Sequence, residues 1–397
     1  MAYSVTSWFI DQTQLKTASP VRKFTIAGSD YSSRVVKWPS IRRAYSDIRP
    51  VNISVDLANE DQVLNFFREE PTKLLANCTL QMGYTHPTSG DELITLYSGD
   101  IDRVLYRKGA LTLQTLDKFK QFTERVVGSS NSPSLYTGSN YLPSDIVWWL
   151  CTSHGGLSAI TSTNNPDIDY AAFNEFASVF SGDSVYVQAR FEGPKVTEAL
   201  RKVARYTDSG IWVEGDKVTF TRFAEAGSME TVVTGDSIID LSLSIDDSTV
   251  VNKQHVYADY DVTSRYWKLD IVDVDSTSVN SYGLREAIEK DESIWYVNSA
   301  TAVNLAQRRV LFAGAPYQEY NLTLPLVTLP RQIGEMLRID DGFLGVTSGE
   351  AWRIMEYSLD MDRGRMDVKA DSSRIASPFI LDHDVYGLLD QTYNSLL

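Results

Sequence analysis

Apolar and polar residues alternate with a period of two over much of the chain, the spacing of strands with one buried face. One form of this alternation occurs twice. Ser98-Gly99, the acid Asp100, Arg103 and branched Val104 are followed by Gly109, which restarts the alternation through Asp117. Ser348-Gly349, the acid Glu350, Arg353 and branched Ile354 are followed by Gly364, which restarts it through Asp371. The two stretches predict β-hairpins at Tyr97–Asp117 and Thr347–Asp371, the second with the longer connection (355–363 against 105–108). Two hairpins of a β-rich chain can match by coincidence. A true repeat means two copies of one β domain about 250 residues apart.

Further strands are expected at Lys23–Gly28, Arg34–Pro39, Val51–Leu57 and Leu75–Met82. Asn59 stands as an N-cap, with Glu60 and Asp61 in the first turn; Val63, Leu64, Phe66 and Phe67 then stripe a short helix that ends before Pro71. Lys118–Arg125 reads as a helical tail, and the Ser, Gly and Asn of Val126–Tyr141 as a linker.

The texture then changes. Helices are expected at Pro143–Cys151 with Ser144 as N-cap, at Ile168–Phe180, and at Pro194–Tyr206 with Val196, Ala199, Leu200 and Val203 on one face. Val185–Phe191 reads as a strand, and Ile211–Phe220 as a hairpin turning at Gly215-Asp216. From Ile238 the strands return, at Leu241–Ile245, Val250–Tyr260, Tyr266–Val274, Tyr320–Leu326 and Ile333–Ile339, with an amphipathic helix at Ser299–Phe312.

The pattern gives an α+β, mainly β chain. Its expected parts are an extended polar arm (1–19), a first β domain (20–126), an inserted small α/β domain (127–234), a second β domain (235–376) and a C-terminal tail (377–397).

Composition narrows the function. A length of 397 residues suits two to four domains, and 43% hydrophobic residues supply real cores. The net charge of −15 argues against a surface that grips nucleic acid, which needs clustered Lys and Arg to displace counterions. Cys78 and Cys151 have no paired spacing and are expected in the core as small hydrophobes. The first twenty residues lack a basic, then apolar, secretory signal, and no apolar run reaches the ~18–20 residues of a membrane span. A soluble protein made in a reducing compartment is expected.

The search for chemistry singles out no catalytic, cofactor-binding or metal-binding residue. His86, His154, His255 and His383 lie in four separate contexts, without the spacing of zinc ligands. His154 precedes Gly155-Gly156 and reads as a helix-end histidine. Asp270, Asp273 and Asp275 are acidic enough for calcium, but Ser278 and Leu284 stand where a calcium loop needs Gly and Glu. No phosphate loop, dinucleotide fingerprint or nucleophile elbow is present. The 21 tyrosines suit a chain with much buried contact between subunits.

The order of these parts resembles the baseplate or tail-tip hub of long-tailed bacteriophages and gene-transfer particles. The resemblance is carried by Phe24–Asp30, Ser98–Arg103 with its hairpin, Ser144–Leu150, Val196–Phe220 and Ile333–Ile339 ahead of the last hairpin. It implies two tail-tube-like antiparallel β domains, barrels or sandwiches with a helix each, in a homotrimeric ring of six-fold-like symmetry. Such a ring joins a hexameric tail tube to a three-fold tip, and DNA slides through an acidic lumen without specific binding. The implied partners are distal tail or tail tube protein, tape measure protein, and separate tip, fibre or spike proteins. The implied place is the virion, after synthesis in the bacterial cytoplasm and without stable membrane insertion. No enzyme activity and no cofactor are implied. A hexameric distal tail ring and a tail-associated cell-wall hydrolase are the competing readings.

Overall fold

The computed structural model describes residues 5–14, 19–45, 48–70, 76–138, 141–222, 231–234, 238–325, 332–340 and 351–371. The expected C-terminal tail, His383 and the start of the second hairpin (347–350) lie outside the described residues.

The arm is not extended. Ser7–Gln14 forms a helix (α1) because Trp8 and Phe9 have somewhere to go: Phe9 is fully buried with its ring 5.2 Å from Tyr84, and Trp8 packs edge-on to His86 at 4.6 Å.

The first sheet follows from the period-two pattern. Its strands are β1 (Val21–Ile26), β2 (Ser29–Asp30), β3 (Val35–Lys37), β5 (Asn52–Ala58), β6 (Asn77–His86), β7 (Gly90–Arg107) and β8 (Ala110–Leu116); β4 (Ser40–Ala44) goes elsewhere. The spatial order is β2-β1-β6-β7-β8-β5-β3. Its two ends, β2 and β3, are separated in sequence only by Tyr31 and the turn Ser32–Arg34, so the sheet curls until its edges approach. The β7–β8 hairpin closes on Lys108-Gly109, with Gly109 at φ 75°, where a side chain is strained. Asn59 is not the N-cap: the turn begins only at Val63, with Gln62 before it, so Glu60 and Asp61 precede the turn Val63–Asn65 and the short helix α2 (Phe66–Glu69), and Asn59 reaches forward to accept from the Leu64 N–H at 2.9 Å.

The middle layer begins with α3 (Lys120–Glu124), β9 (Ser134–Leu135) and α4 (Pro143–Trp149), then α5 (Tyr170–Gly182), β10 (Val187–Phe191), α6 (Val196–Tyr206), β11 (Ser209–Glu214) and β12 (Lys217–Arg222). Leu142, not Ser144, holds the N-cap position of α4, and Ser144 is buried within the first turn. The expected face of α6 is the buried one, with Val196, Ala199, Leu200 and Val203 inaccessible.

After β13 (Thr231–Thr234) and β14 (Asp240–Asp246) come β15 (Lys253–Asp261), β16 (Tyr266–Val274), α7 (Ser276–Tyr282), β17 (Glu286–Glu289), β18 (Ile294–Tyr296) and α8 (Ser299–Ala313). The sequence placed Val250–Val274 and the 299–312 helix with the last β layer. Their partners lie in the middle. The sheet runs β16-β15-β18-β10-β9, and Val256, Ala258, Tyr296, Ala302 and Ala306 share one core with Phe191, Leu200 and Val203. Alternation tells which face of a strand is buried but not which strand lies beside it. The middle layer is thus assembled from two stretches of chain.

The last sheet takes β13, β14, β19 (Tyr317–Pro325), β20 (Met336–Asp340), β21 (Ala351–Asp360) and β22 (Arg365–Asp371), in the order β13-β20-β21-β22-β19-β14. Once β2, β4 and residues 247–316 are set aside, this is the chain order of β1-β6-β7-β8-β5-β3. The pairings differ at one end: β13 runs parallel to β20, while β1 is antiparallel to β6. One strand crosses over. β4, from the first segment, pairs antiparallel with Glu356–Asp360 of β21.

Candidate functional site: a buried junction of three layers

Where β4 crosses, a charged residue is on the inward face. Ile41 and Arg43 share that face of β4, and Arg43 is 4% exposed. Its cross-strand neighbour is Tyr357 of β21, whose hydroxyl accepts from the guanidinium at 2.8 Å. Glu214, the last residue of β11, forms an ion pair with Arg43 from the middle layer. The other Glu214 oxygen accepts from Trp212 Nε1 at 3.1 Å, and the Tyr357 hydroxyl lies 3.4 and 3.5 Å from the two carboxylate oxygens.

The fourth partner comes from a bulge in the first sheet. The β6–β7 register steps from Leu80↔Tyr97 to Gln81↔Thr95, which leaves Leu96 as the extra residue. The Leu96 carbonyl, lost to the ladder, accepts from Arg43. The β11–β12 turn is seated beside it: Gly215 bridges to Tyr97 at φ 58°, and a Cβ there would stand 3.1 Å from the Thr95 carbonyl oxygen. One guanidinium therefore serves the first sheet (Leu96), the middle layer (Glu214) and the last sheet (Tyr357).

Burial pushes the Glu214 carboxyl well above the usual carboxylate range, opposed by the hydrogen bond from Tyr357; burial also raises the Tyr357 hydroxyl. Such a pair adds little net stability over apolar side chains, since desolvation offsets the attraction. What it does impose is geometry: three elements must be in place before all of the buried groups are satisfied.

A second tie lies close by. Tyr45, just after β4, donates to the Asp208 carbonyl at 2.9 Å and fills the space that a Gly210 side chain would need. Asp208 in turn pairs with Arg309 of α8 at 2.7 Å, and Arg309 Nε lies 3.4 Å from Glu289 of β17.

The histidines do not converge. His86 packs on Trp8, and half-buried His154 lies against Trp149 with its pKa lowered by burial. His255 sits on the outer face of β15, 3.2 Å from both Asp270 and Glu286. Asp275 caps α7 through the Thr277 and Ser278 N–H groups, while Asp273 pairs in register with Gln254. Among the described residues no cluster of three or more His, Cys, Asp or Glu could hold a metal ion. Cys78 and Cys151 are free, buried thiols, as expected, and burial pushes the Cys78 thiol up to about 12. No helix among the described residues is long and apolar enough to cross a membrane.

Sequence reasoning passed over Arg43, Glu214 and Tyr357. The signal available was parity: Arg43 falls two residues from Ile41, and Glu214 two from Trp212, on faces otherwise apolar.

No protein-family model matches the sequence, and no curated protein matches it. Solved structures do match. A tail protein from Neisseria meningitidis MC58 superposes with a TM-score of 0.56 at 13% identity, covering 90% of this chain and 98% of the other. The 43 kDa tail protein of prophage MuSo2 from Shewanella oneidensis gives 0.52 at 15% identity, over 90% and 99%. Prophage tail protein gp18 from Listeria monocytogenes EGD-e gives 0.52 at 10% identity, over 88% and 94%. The chain has the mostly β fold of these phage tail proteins.

Proposed function

We propose that the chain is a structural protein of a phage-type tail, the tail-tip or baseplate hub, working by assembly and without turnover. The observation that carries this reading is the single strand order adopted twice, by β1, β3 and β5–β8 and by β13, β14 and β19–β22. Two like sheets in one chain let a homotrimer present six like units. It can thereby join a hexameric tail tube to a three-fold tip. In this reading the two curled sheets are tube-like domains that line the DNA channel. The middle layer, built from residues 117–222 and 247–316, faces outward or toward the tip. The net charge of −15 suits a lumen that lets DNA pass without holding it.

The partners are then the distal tail or tail tube protein, the tape measure protein and separate tip, fibre or spike proteins. The place of action is the virion, after synthesis in the bacterial cytoplasm. The scattered histidines and the use of the buried acids in structural contacts support a role other than catalysis.

Native mass spectrometry of the purified protein tests the reading. A trimer is expected. A hexamer would favour a distal tail ring, and a monomer at every concentration would overturn both and turn attention to cell-wall hydrolysis.

A further inference from the structure

The outer edge of the last sheet is open among the described residues. β14 pairs with β19 on one side and, among the described residues, with nothing on the other. Its alternation is strict: Ile239, Leu241, Leu243 and Ile245 on one face, and Asp240, Ser242, Ser244 and Asp246 on the other. Leu241 and Leu243 pack half-buried against the core, while the ends of the row stay open to water, Ile239 at 61% and Ile245 at 59% exposure. An open strand edge flanked by exposed apolar side chains is a template for another strand.

Charge selects the partner. Residues 238–247 carry Asp240, Asp246 and Asp247 and no Lys or Arg. Two-fold self-pairing that opposes Ile239 with Ile245 and Leu241 with Leu243 sets Asp240 of each copy diagonal to Asp246 of the other, with no cation in either strand. Residues 21–44 are the complement, holding Arg22, Lys23, Arg34, Lys37, Arg42 and Arg43 against the one acid Asp30. Arg34, Arg42 and Arg43 are engaged by Asp61, Glu356 and Glu214. Lys23 and Lys37 have no ion pair among the described residues; Lys23 lies on β1 and Lys37 ends β3, on either side of the seam formed by the turn Ser32–Arg34, whose Ser32 hydroxyl accepts from the Phe24 N–H of β1 at 2.9 Å. Val36 on that seam is 67% exposed.

We infer that β14 docks on the β1–β3 seam of a second copy of this chain, head to tail. Unlike faces meet, so the contact repeats from copy to copy and closes a ring instead of a two-fold dimer. The inference rests on the ring reading above and names the surfaces that close it.

The test is native mass spectrometry on three proteins, with circular dichroism confirming the fold of each. Asp240→Lys with Ser244→Lys places cations on the exposed polar face of β14 and is expected to convert the trimer to monomer at equal concentration. Adding Lys23→Glu and Lys37→Glu to the same chain is expected to restore the trimer. If the trimer survives both the Lys pair and Ile239→Asp with Ile245→Asp, the β14 surface is wrong while the ring stands. If the Lys pair dissociates the trimer and the seam changes fail to restore it, the assigned seam is wrong. A wild-type monomer or two-fold dimer overturns the ring and the docking together.

Discussion

Asp117 follows β8 and Asp371 closes β22, the corresponding strands of the two like-ordered sheets, and burial raises both carboxyls, to about 7 and about 6. Asp117 accepts from the Val51 N–H at 3.1 Å and the Phe119 N–H at 3.0 Å, which only partly offsets its burial. Asp371, half-buried, faces Arg353, whose own pKa burial lowers to about 10.

A raised carboxyl makes the folded state bind its proton more readily than the unfolded chain. Its stabilising share is complete below the unfolded value near 4 and is lost as pH rises through the folded value. For Asp117 that window ends near pH 7, and for Asp371 near pH 6. Urea unfolding of wild type and Asp117→Asn is expected to diverge as pH rises from 5 to 8. Over that range the variant gains on the wild type by up to about 2–3 kcal/mol. A constant difference across that range would show that Asp117 does not carry a raised pKa.

Arg43→Ala takes the shared cation from the Glu214 carboxylate, the Tyr357 hydroxyl and the Leu96 carbonyl at once, leaving Trp212 and Tyr357 as donors in reach of Glu214. The expected loss is roughly 3–5 kcal/mol in chemical denaturation. Arg43→Met with Glu214→Leu removes both charges and is expected to recover at least half of it, roughly, because no buried ion is left alone. A double variant as unstable as the single one would mean that packing, not charge pairing, dominates the junction.

Gly215→Ala asks whether the β11–β12 turn is seated as tightly as its bridge to Tyr97 implies. A side chain at φ 58° is strained and would press on the Thr95 carbonyl, so a loss of about 1–2 kcal/mol is expected. Native-state hydrogen exchange should show faster exchange in β11 and β12 before any other segment.

Phe9→Ala opens a hole between α1 and the first sheet beside Tyr84. The expected cost is about 3–5 kcal/mol, with limited proteolysis releasing the first residues while the rest of the sheet resists. An unchanged digestion pattern would mean that α1 is held by other contacts, Trp8 on His86 and Thr6 on Glu92 among them.

Much of the local structure was legible. The helix α6 buries the face its spacing named, and the two Gly-restarted hairpins are real. Period two and period 3.6 are properties of a segment, and the segment keeps them. What was hidden depends on partners far away. Val256 and Ala258 alternate in the same way whether they face the middle core or the last sheet, so their layer could not be read. Trp8 and Phe9 in a polar arm gave too short a stripe to announce a helix. Arg43 and Glu214 meet only because β4 leaves its own sheet, which no local pattern records.

That departure also sets a timetable. Arg42 and its partner Glu356 are 314 residues apart in the chain. At about 5–20 residues per second, β4 emerges from the ribosome roughly 15–60 s before the strand it must join. Through that interval the nascent protein carries a basic strand whose mate does not yet exist. The last sheet is consequently the final part to become native, and a chain halted before β21 keeps an unanswered strand at its front.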